Sequence, residues 1–254
     1  MRVIAVQSGS NGNCIHVASG KVALVFDAGL PGKHARGRLA RHGVDITRAA
    51  GLVISHDHSD HVRCAGVYQR LFGLPLHVTA RTWAAAQRHR LGKVGDIRPF
   101  AAGTSLRFGH VTVETIPTPH DAADGVAFVV DDGRRRVGIL TDLGHAFAGL
   151  GEAIASLDAV VLESNYDPDM LEWGSYPEFL KARISGPHGH LSNLEAAGLL
   201  DRFARPRLKW ACLAHLSEDN NRPALALETH RGILGESLEL RVAGRYDATD
   251  VMEV

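Results

Sequence analysis

The stretch GLVISHDHSDHV, residues 51–62, runs a short apolar strand directly into His56, Asp57, His58, Asp60 and His61. Buried polar groups without partners cost a few kcal/mol each, and unpaired charges cost more. A chain that gathers imidazoles and carboxylates where its core surfaces therefore needs something to satisfy them. Alternate residues of an extended segment face the same way, so His56 and His58 can aim at one point. Where the chain turns into a helix, Asp60 and His61 fall on its first turn and can face a second point nearby. Neutral imidazole and carboxylate suit Zn²⁺ or Mn²⁺. Two divalent metal ions per chain are the expectation, and a ligand set without cysteine leaves iron open as well.

Four ligands cannot fill two catalytic sites that each want about four or five donors. Three further candidates stand where apolar strands meet polar loops: His120 in VETIPTPHD, Asp142 in VGILTD and His215 in WACLAHLS. Most other histidines, namely His16, His34, His42, His77, His89, His110 and His230, lie in ordinary amphipathic contexts and read as surface or core residues. His145, close to Asp142, is left open.

The surrounding chain is of ordinary globular composition, with 254 residues, 45% hydrophobic and 22% charged, and without a linker tract or a repeat. One domain spanning 1–254 is expected. Lys plus Arg and Asp plus Glu balance at 28 each, which excludes binding nucleic acid by overall charge and requires a local patch instead. The basic clusters QRHRLGK, GRRRVG and RFARPRLK are the candidates for one. Cys14, Cys64 and Cys212 are odd in number and never paired as CxxC, so neither a disulfide framework nor a zinc ribbon is indicated. The N-terminal RVIAV lacks the basic and apolar regions of a signal peptide, and no apolar run approaches the ~18 residues of a membrane span. A cytoplasmic protein with no membrane partner is expected; oligomeric state leaves no mark in the sequence.

Strand-like runs (VIAV, IHVAS, VALVFDAG, GLVIS, PLHVTA) alternate with helical ones (HARGRLARHG, DHVRCAGVYQRLFG, RTWAAAQRHR) through the first half. A β-rich middle follows, in which GVAFVVDDGRRRVGILTD reads as a hairpin turning at DDG. After LDAVVLES come helical YPEFLKARI and LSNLEAAGLLDRFA, a strand KWACLAHL, helical RPALALETHRGIL and a last strand LELRVA. This pattern predicts an α/β layered fold with sheets packed together and helices outside.

The ordered set HxHxDH, His, Asp, His resembles the metallo-β-lactamase superfamily, which implies a four-layer αββα sandwich in a single domain. By that resemblance His56, His58 and His120 hold one metal, Asp60, His61 and His215 the other, and Asp142 bridges. Asp27 in LVFDAG matches an aspartate that orients a ligand histidine, since a carboxylate fixes an imidazole's tautomer. A closer similarity runs through SGSNGNC (8–14), SHDHSDH, PHDA, TDLG, ESNYD, YPEFLKARI, GHLSN and HLSEDNN, and is to the YycJ/WalJ-like group of bacterial metal-dependent DNA exonucleases. It implies a nuclease whose substrate partner is DNA.

Glu163, at the end of LDAVVLE, and His190, in GPHGHLSN, resemble residues that nucleases of this superfamily place beside the metals; an unliganded His190 could protonate a leaving alkoxide. In this reading metal-activated water attacks phosphorus, Asp60 helps hold metal and water, and no Ser or Cys nucleophile is needed. SGSNGNC reads first as a tight turn. Its Ser8, Gly9, Asn11 and Asn13 could also present backbone N–H groups to a substrate phosphate. Asp142 and His215 lie only 73 positions apart, too few for the inserted domain of β-CASP nucleases, and no long Gly/Pro-rich arm of the ribonuclease Z kind is present. The alternative is a small-molecule hydrolase acting on a cyclic phosphodiester, lactone or thioester with the same metals. A metal-stabilised module without catalysis is the remaining reading, disfavoured by a complete ligand set.

Overall fold

A computed structural model describes all residues, 1–254. Strands β1 (Arg2–Gln7), β2 (Cys14–Ser19), β3 (Val22–Phe26), β4 (Gly51–Val53), β5 (Leu76–Thr79) and β6 (Ile97–Phe100) build one sheet in that order, with β14 (Met252–Glu253) outside β1. The second sheet runs β7 (Ser105–Phe108), β8 (Val111–Pro117), β9 (Val126–Asp131), β10 (Arg136–Leu140), β11 (Ala159–Glu163), β12 (Trp210–Ala214) and β13 (Glu239–Val242).

Period-two alternation decides how the sheets stack. Val3, Ile15, Val17, Leu24 and Phe26 of the first sheet meet Val113, Phe128, Val130, Ile139, Val161 and Trp210 of the second in a central core. The opposite face of the first sheet, including Ile4, Val6, Val25 and Leu52, packs on α1 (Gly32–Arg41) and α3 (Ala65–Phe72). The outer face of the second is covered by α5 (Leu150–Ala155) and α8 (Asn193–Phe203). The result is the four-layer αββα sandwich expected from the sequence. Cys14, Cys64 and Cys212 are all free, and no helix is long and apolar enough to cross a membrane.

Several details depart from the sequence reading. LELRVA is not the last strand: β14 follows it, two residues long and detectable only through its pairing with β1. Strand β6 was not expected; Pro99 cannot donate to a ladder, and β6 tolerates it as the edge strand of its sheet. DHVRCAGVYQRLFG is two helices, α2 (Ser59–Val62) and α3, because the Cys64 N–H donates to the Ala28 carbonyl (2.8 Å). The Gly73 stop is as expected, a left-handed C-cap at φ 71°. DDG does turn the β9–β10 hairpin, while α5 and α6 (Pro168–Trp173) were unforeseen short helices.

His16 and His77 read as surface or core residues, and both are buried. Burial pushes each down to about 4 from 6.5, with Arg2 beside the first and Arg98 beside the second acting in the same direction. The unfolded chain takes up these protons below about 6.5 while the folded protein resists until about 4. Stability therefore declines as pH falls through that window, by on the order of 3 kcal/mol for His16. His16→Leu should reduce the loss of urea midpoint between pH 7.5 and pH 5. An acid profile unchanged from wild type would show that His16 is not a source of the lability.

Candidate metal centre

Six strands deliver the site, all from their C-terminal ends. Asp27 follows β3, His56 and His58 lie in the loop after β4, and Asp60 and His61 sit on α2, which His58 caps. His120 follows β8, Asp142 follows β10, Glu163 is the last residue of β11 and His215 follows β12. Parallel pairing of β3 with β4 and of β10, β11 and β12 points these ends the same way.

Three of these residues turn the chain in a left-handed conformation that disfavours any side chain: Asp27 (φ 61°), Asp142 (φ 56°) and His215 (φ 55°). Such conformations cost of order 1–3 kcal/mol each and persist where surrounding structure over-determines them. Here each places a ligand-type side chain at a strand end.

The potential donor atoms form overlapping groups within 4.8 Å: His56, His58 and His120; Asp60, His61 and His215; and His56, His61 and Asp142. Asp142 thus approaches members of both histidine groups, as a bridging carboxylate must. The N–H groups of two imidazoles are committed elsewhere: His58 Nε2 donates to the Asp121 carbonyl (3.1 Å) and His120 Nδ1 to the Gly189 carbonyl (2.8 Å). The remaining nitrogens, His58 Nδ1 and His120 Nε2, face each other at 3.2 Å as two lone pairs. His56 Nε2 and Asp142 Oδ2 are buried with no hydrogen-bond partner. Facing lone pairs and orphaned buried acceptors are a donor set that a divalent cation fits.

Electrostatics agree. Burial works to raise Asp60 and Asp142, yet His61 and His215 hold both carboxyls well below the usual carboxylate range. Burial, followed by the neighbouring His61, pushes His56 well below its ordinary value, into the neutral form a ligand needs. Burial also opposes charge on His61, but Asp142, Asp60 and Asp27 raise it well above the ordinary range. The positive charge those carboxylates stabilise there as a proton is the charge a cation would supply.

Asp27 sits 2.7 Å from His61 Nδ1, accepts the Ser55 N–H (2.8 Å) and contacts the Ser55 hydroxyl (2.9 Å). It fixes the His61 tautomer with Nε2 toward the cluster. Asp57, which the sequence reading passed over, is 2% exposed. It pairs with Arg88 (2.6 Å), accepts the Ala123 N–H (2.9 Å) and so ties the ligand loop to the His120 loop. Only its position between His56 and His58 could have signalled that role.

His190 Nδ1 lies 2.5 Å from Glu163 Oε1, and Glu163 Oε2 accepts the Leu143 N–H (3.0 Å). Burial opposes protonation of His190, but Glu163 outweighs it and raises the pKa. His190 and Glu163 also lie within a fourth group, with Asp142 and His215. His145 is exposed and spends Nδ1 on the Pro187 carbonyl (2.6 Å).

The Ser8–Asn13 turn is built into the same centre. Asn13 Nδ2 lies 2.9 Å from His61 Nε2 and 3.2 Å from Asp60 Oδ2, and Ser8 Oγ accepts the His215 N–H (2.8 Å). The N–H groups of Ser8, Gly9, Gly12 and Asn13 all go to protein acceptors, so those four are not available to a phosphate. Asn11 uses its carbonyl to accept from Arg63. Gly9 faces the Arg245 guanidinium, which would lie 3.1 Å from a Cβ there.

A family profile described as Beta-lactamase superfamily domain matches residues 24–215, from β3 to His215. The chain belongs to the metallo-β-lactamase superfamily. Within that superfamily it falls in the YycJ-like group. It is 33% identical over 231 residues to exodeoxyribonuclease YycJ of Bacillus anthracis, covering 90% of this chain and 87% of that one. It is 34% identical to exodeoxyribonuclease WalJ of Streptococcus pneumoniae, covering 86% and 82%. The fold matches the metallo-β-lactamase fold protein YhfI of Bacillus subtilis (TM-score 0.73, 17% identity, 98% of both chains). It also matches Zn²⁺-bound PqqB of Methylobacterium extorquens (TM-score 0.71, 16% identity, 98% and 100%). The protein is a metal-dependent hydrolase of this fold.

Asp27→Ala should lower divalent-metal affinity ~10 to 100-fold, the effect of removing a carboxylate that orients a ligand imidazole. Titration of metal-stripped protein with Zn²⁺ measures it; wild-type affinity in the variant would remove Asp27 from the site.

Proposed function

We propose that this hydrolase cleaves phosphodiester bonds of DNA as an exonuclease. The observation that carries the reading is the Glu163–His190 pair beside the ligand cluster. Glu163 holds the His190 Nδ1–H, while Nε2 makes no hydrogen bond within the protein and the side chain is 19% exposed. An imidazole whose pKa a neighbouring carboxylate raises, positioned by that carboxylate and partly open to solvent, is suited to give its proton to a departing sugar oxygen. The exodeoxyribonuclease names of relatives at 33% and 34% identity support the same substrate class.

In this reading His56, His58 and His120 hold one divalent metal, Asp60, His61 and His215 a second, and Asp142 is shared. Divalent metals held there would supply a water of lowered pKa and stabilise charge on the phosphodiester oxygens. The protein's own part is to hold ligands ionised or neutral as required, through Asp27 and burial, and to deliver the proton through His190. Ser8 and Asn13 act as supports for His215, Asp60 and His61, with Gly9 and Asn11 completing their turn. Three free cysteines fit a reducing, cytoplasmic setting.

Protein reconstituted with Zn²⁺ or Mn²⁺ should bind two ions per chain by elemental analysis and shorten end-labelled DNA. Rapid turnover of a lactone, thioester or cyclic phosphodiester with inert DNA would replace this reading by the small-molecule one. His190→Ala should lower kcat on DNA by ~10² to 10⁴-fold with metal content retained. The loss should shrink on bis(4-nitrophenyl) phosphate, whose leaving group departs without a proton. Equal losses on both substrates would assign His190 to binding, and loss of metal would make it a ligand.

A further inference from the structure

The three basic clusters of the sequence are not equivalent once folded. In GRRRVG, Arg135 pairs with Asp158 (3.2 Å) and Arg136 with Glu114 (2.9 Å) and Asp131 (2.5 Å). In RFARPRLK, Arg207 pairs with Asp158 (2.9 Å) and the Arg202 guanidinium lies 5.1 Å over the Phe203 ring. These cations are largely spent on the fold.

QRHRLGK differs. From His61 to Gly95 the chain contains no Asp or Glu, while Arg63, Arg70, Arg81, Arg88, Arg90 and Lys93 all fall within it. That is a one-signed segment of six cations in a chain that balances overall, so the remainder carries 22 basic against 28 acidic residues. Arg63 and Arg70 serve the scaffold: Arg63 donates to the Gly29 carbonyl (2.8 Å), and Arg70 to the carbonyls of Leu91 (3.0 Å) and Lys93 (2.7 Å). Arg81, on α4 (Ala80–Ala86), and Arg90 and Lys93, in the loop beyond it, are exposed and have no acidic partner.

This loop is fixed, and it abuts the metal centre. Arg70 clamps its backbone, and the left-handed Gly92 (φ 72°) leaves room for the Arg70 guanidinium, which would lie 3.1 Å from a Cβ there. His89 Nε2 lies 2.8 Å from the Asp57 carbonyl, and Arg88 grips the Asp57 carboxylate between His56 and His58. Thr82 on α4 donates to the Asp124 carbonyl (3.2 Å), in the loop that carries His120. The segment of α6 and α7 (Glu178–Ser185), which reaches the His120 loop through Arg183 and Asp121 (2.6 Å), has the other balance: Asp167, Asp169, Glu172 and Glu178 against Lys181 and Arg183.

Resting on the nuclease reading above, we infer that the α4 rim, through Arg81, Arg90 and Lys93, is the track for the nucleic-acid backbone. The polyanion leaves the metal centre on this side and is repelled from the α6–α7 side. Contacts of this kind are sequence-independent and salt-sensitive, since each neutralised phosphate releases counterions and steepens the fall of log K with log salt by about 0.7 on a single strand.

The test is the salt dependence of oligonucleotide binding to the metal-loaded protein, compared with Arg81→Gln/Arg90→Gly/Lys93→Gln. Glycine at 90 suits the left-handed backbone there (φ 54°). The triple variant should lower the slope by about 2 and reduce kcat/KM on an oligonucleotide, with bis(4-nitrophenyl) phosphate turnover and metal content at wild-type levels. Arg134→Gln/Arg205→Gln, on the other two clusters, should leave all four quantities unchanged. A nuclease whose salt slope is unmoved by the triple substitution, or moved equally by the control, overturns the track alone. A wild-type protein that neither binds nor shortens DNA overturns the nuclease reading and the track with it.

Discussion

Asp142 is the constraint around which the rest of the molecule is arranged. Its carboxylate is 3% exposed and stands among His56, His61, His120 and His215, residues supplied by both sheets. A buried charge is tolerable only if opposite charge and hydrogen bonds surround it, so the two sheets must close with their strand ends in one place. The central core between the sheets sets that alignment, and the left-handed turns at Asp27, Asp142 and His215 spend backbone energy to complete it. Strain at these three points and orphaned acceptors beside them belong to one design: a site held ready for cations by a scaffold stable enough to carry the cost.

Around that centre the protein has a graded set of supports. Asp27 and Ser55 orient His56 and His61, Asp57 links the His56–His58 loop to the His120 loop, and the Ser8–Asn13 turn reaches Asp60, His61 and His215. The Glu163–His190 pair lies beside the ligands and remains partly open to solvent. The same fold is shared with proteins only 16–17% identical. The αββα scaffold therefore accounts for where the strand ends converge, and the loops around it account for which side chains are brought there.

Much of this was legible in the chain. HxHxDH after an apolar strand carries its meaning locally, because alternation and the first helical turn fix where neighbouring side chains can point. His120, Asp142 and His215 were legible as candidates because each ends an apolar run. Asp57 was not, since its role consists of bonds to Arg88 and Ala123, far along the sequence. Strand β14 and the break between α2 and α3 were hidden for the same reason: each exists through one long-range backbone contact, to β1 and to Ala28.

Hydrophobic period in the sequence determined a layered α/β fold and the strand ends that carry His and Asp, because period and residue chemistry are local properties, while the αββα class came from the resemblance of the whole motif set. Tertiary structure decided which cations remain free, since ion pairs such as Arg136–Glu114 and Arg207–Asp158 join residues that no spacing rule connects. It also pairs four of the N–H groups of SGSNGNC within the protein and sets its Ser8 and Asn13 side chains against Asp60, His61 and His215. A turn's N–H groups are available only if folding leaves them unpaired, and here folding pairs those of Ser8, Gly9, Gly12 and Asn13.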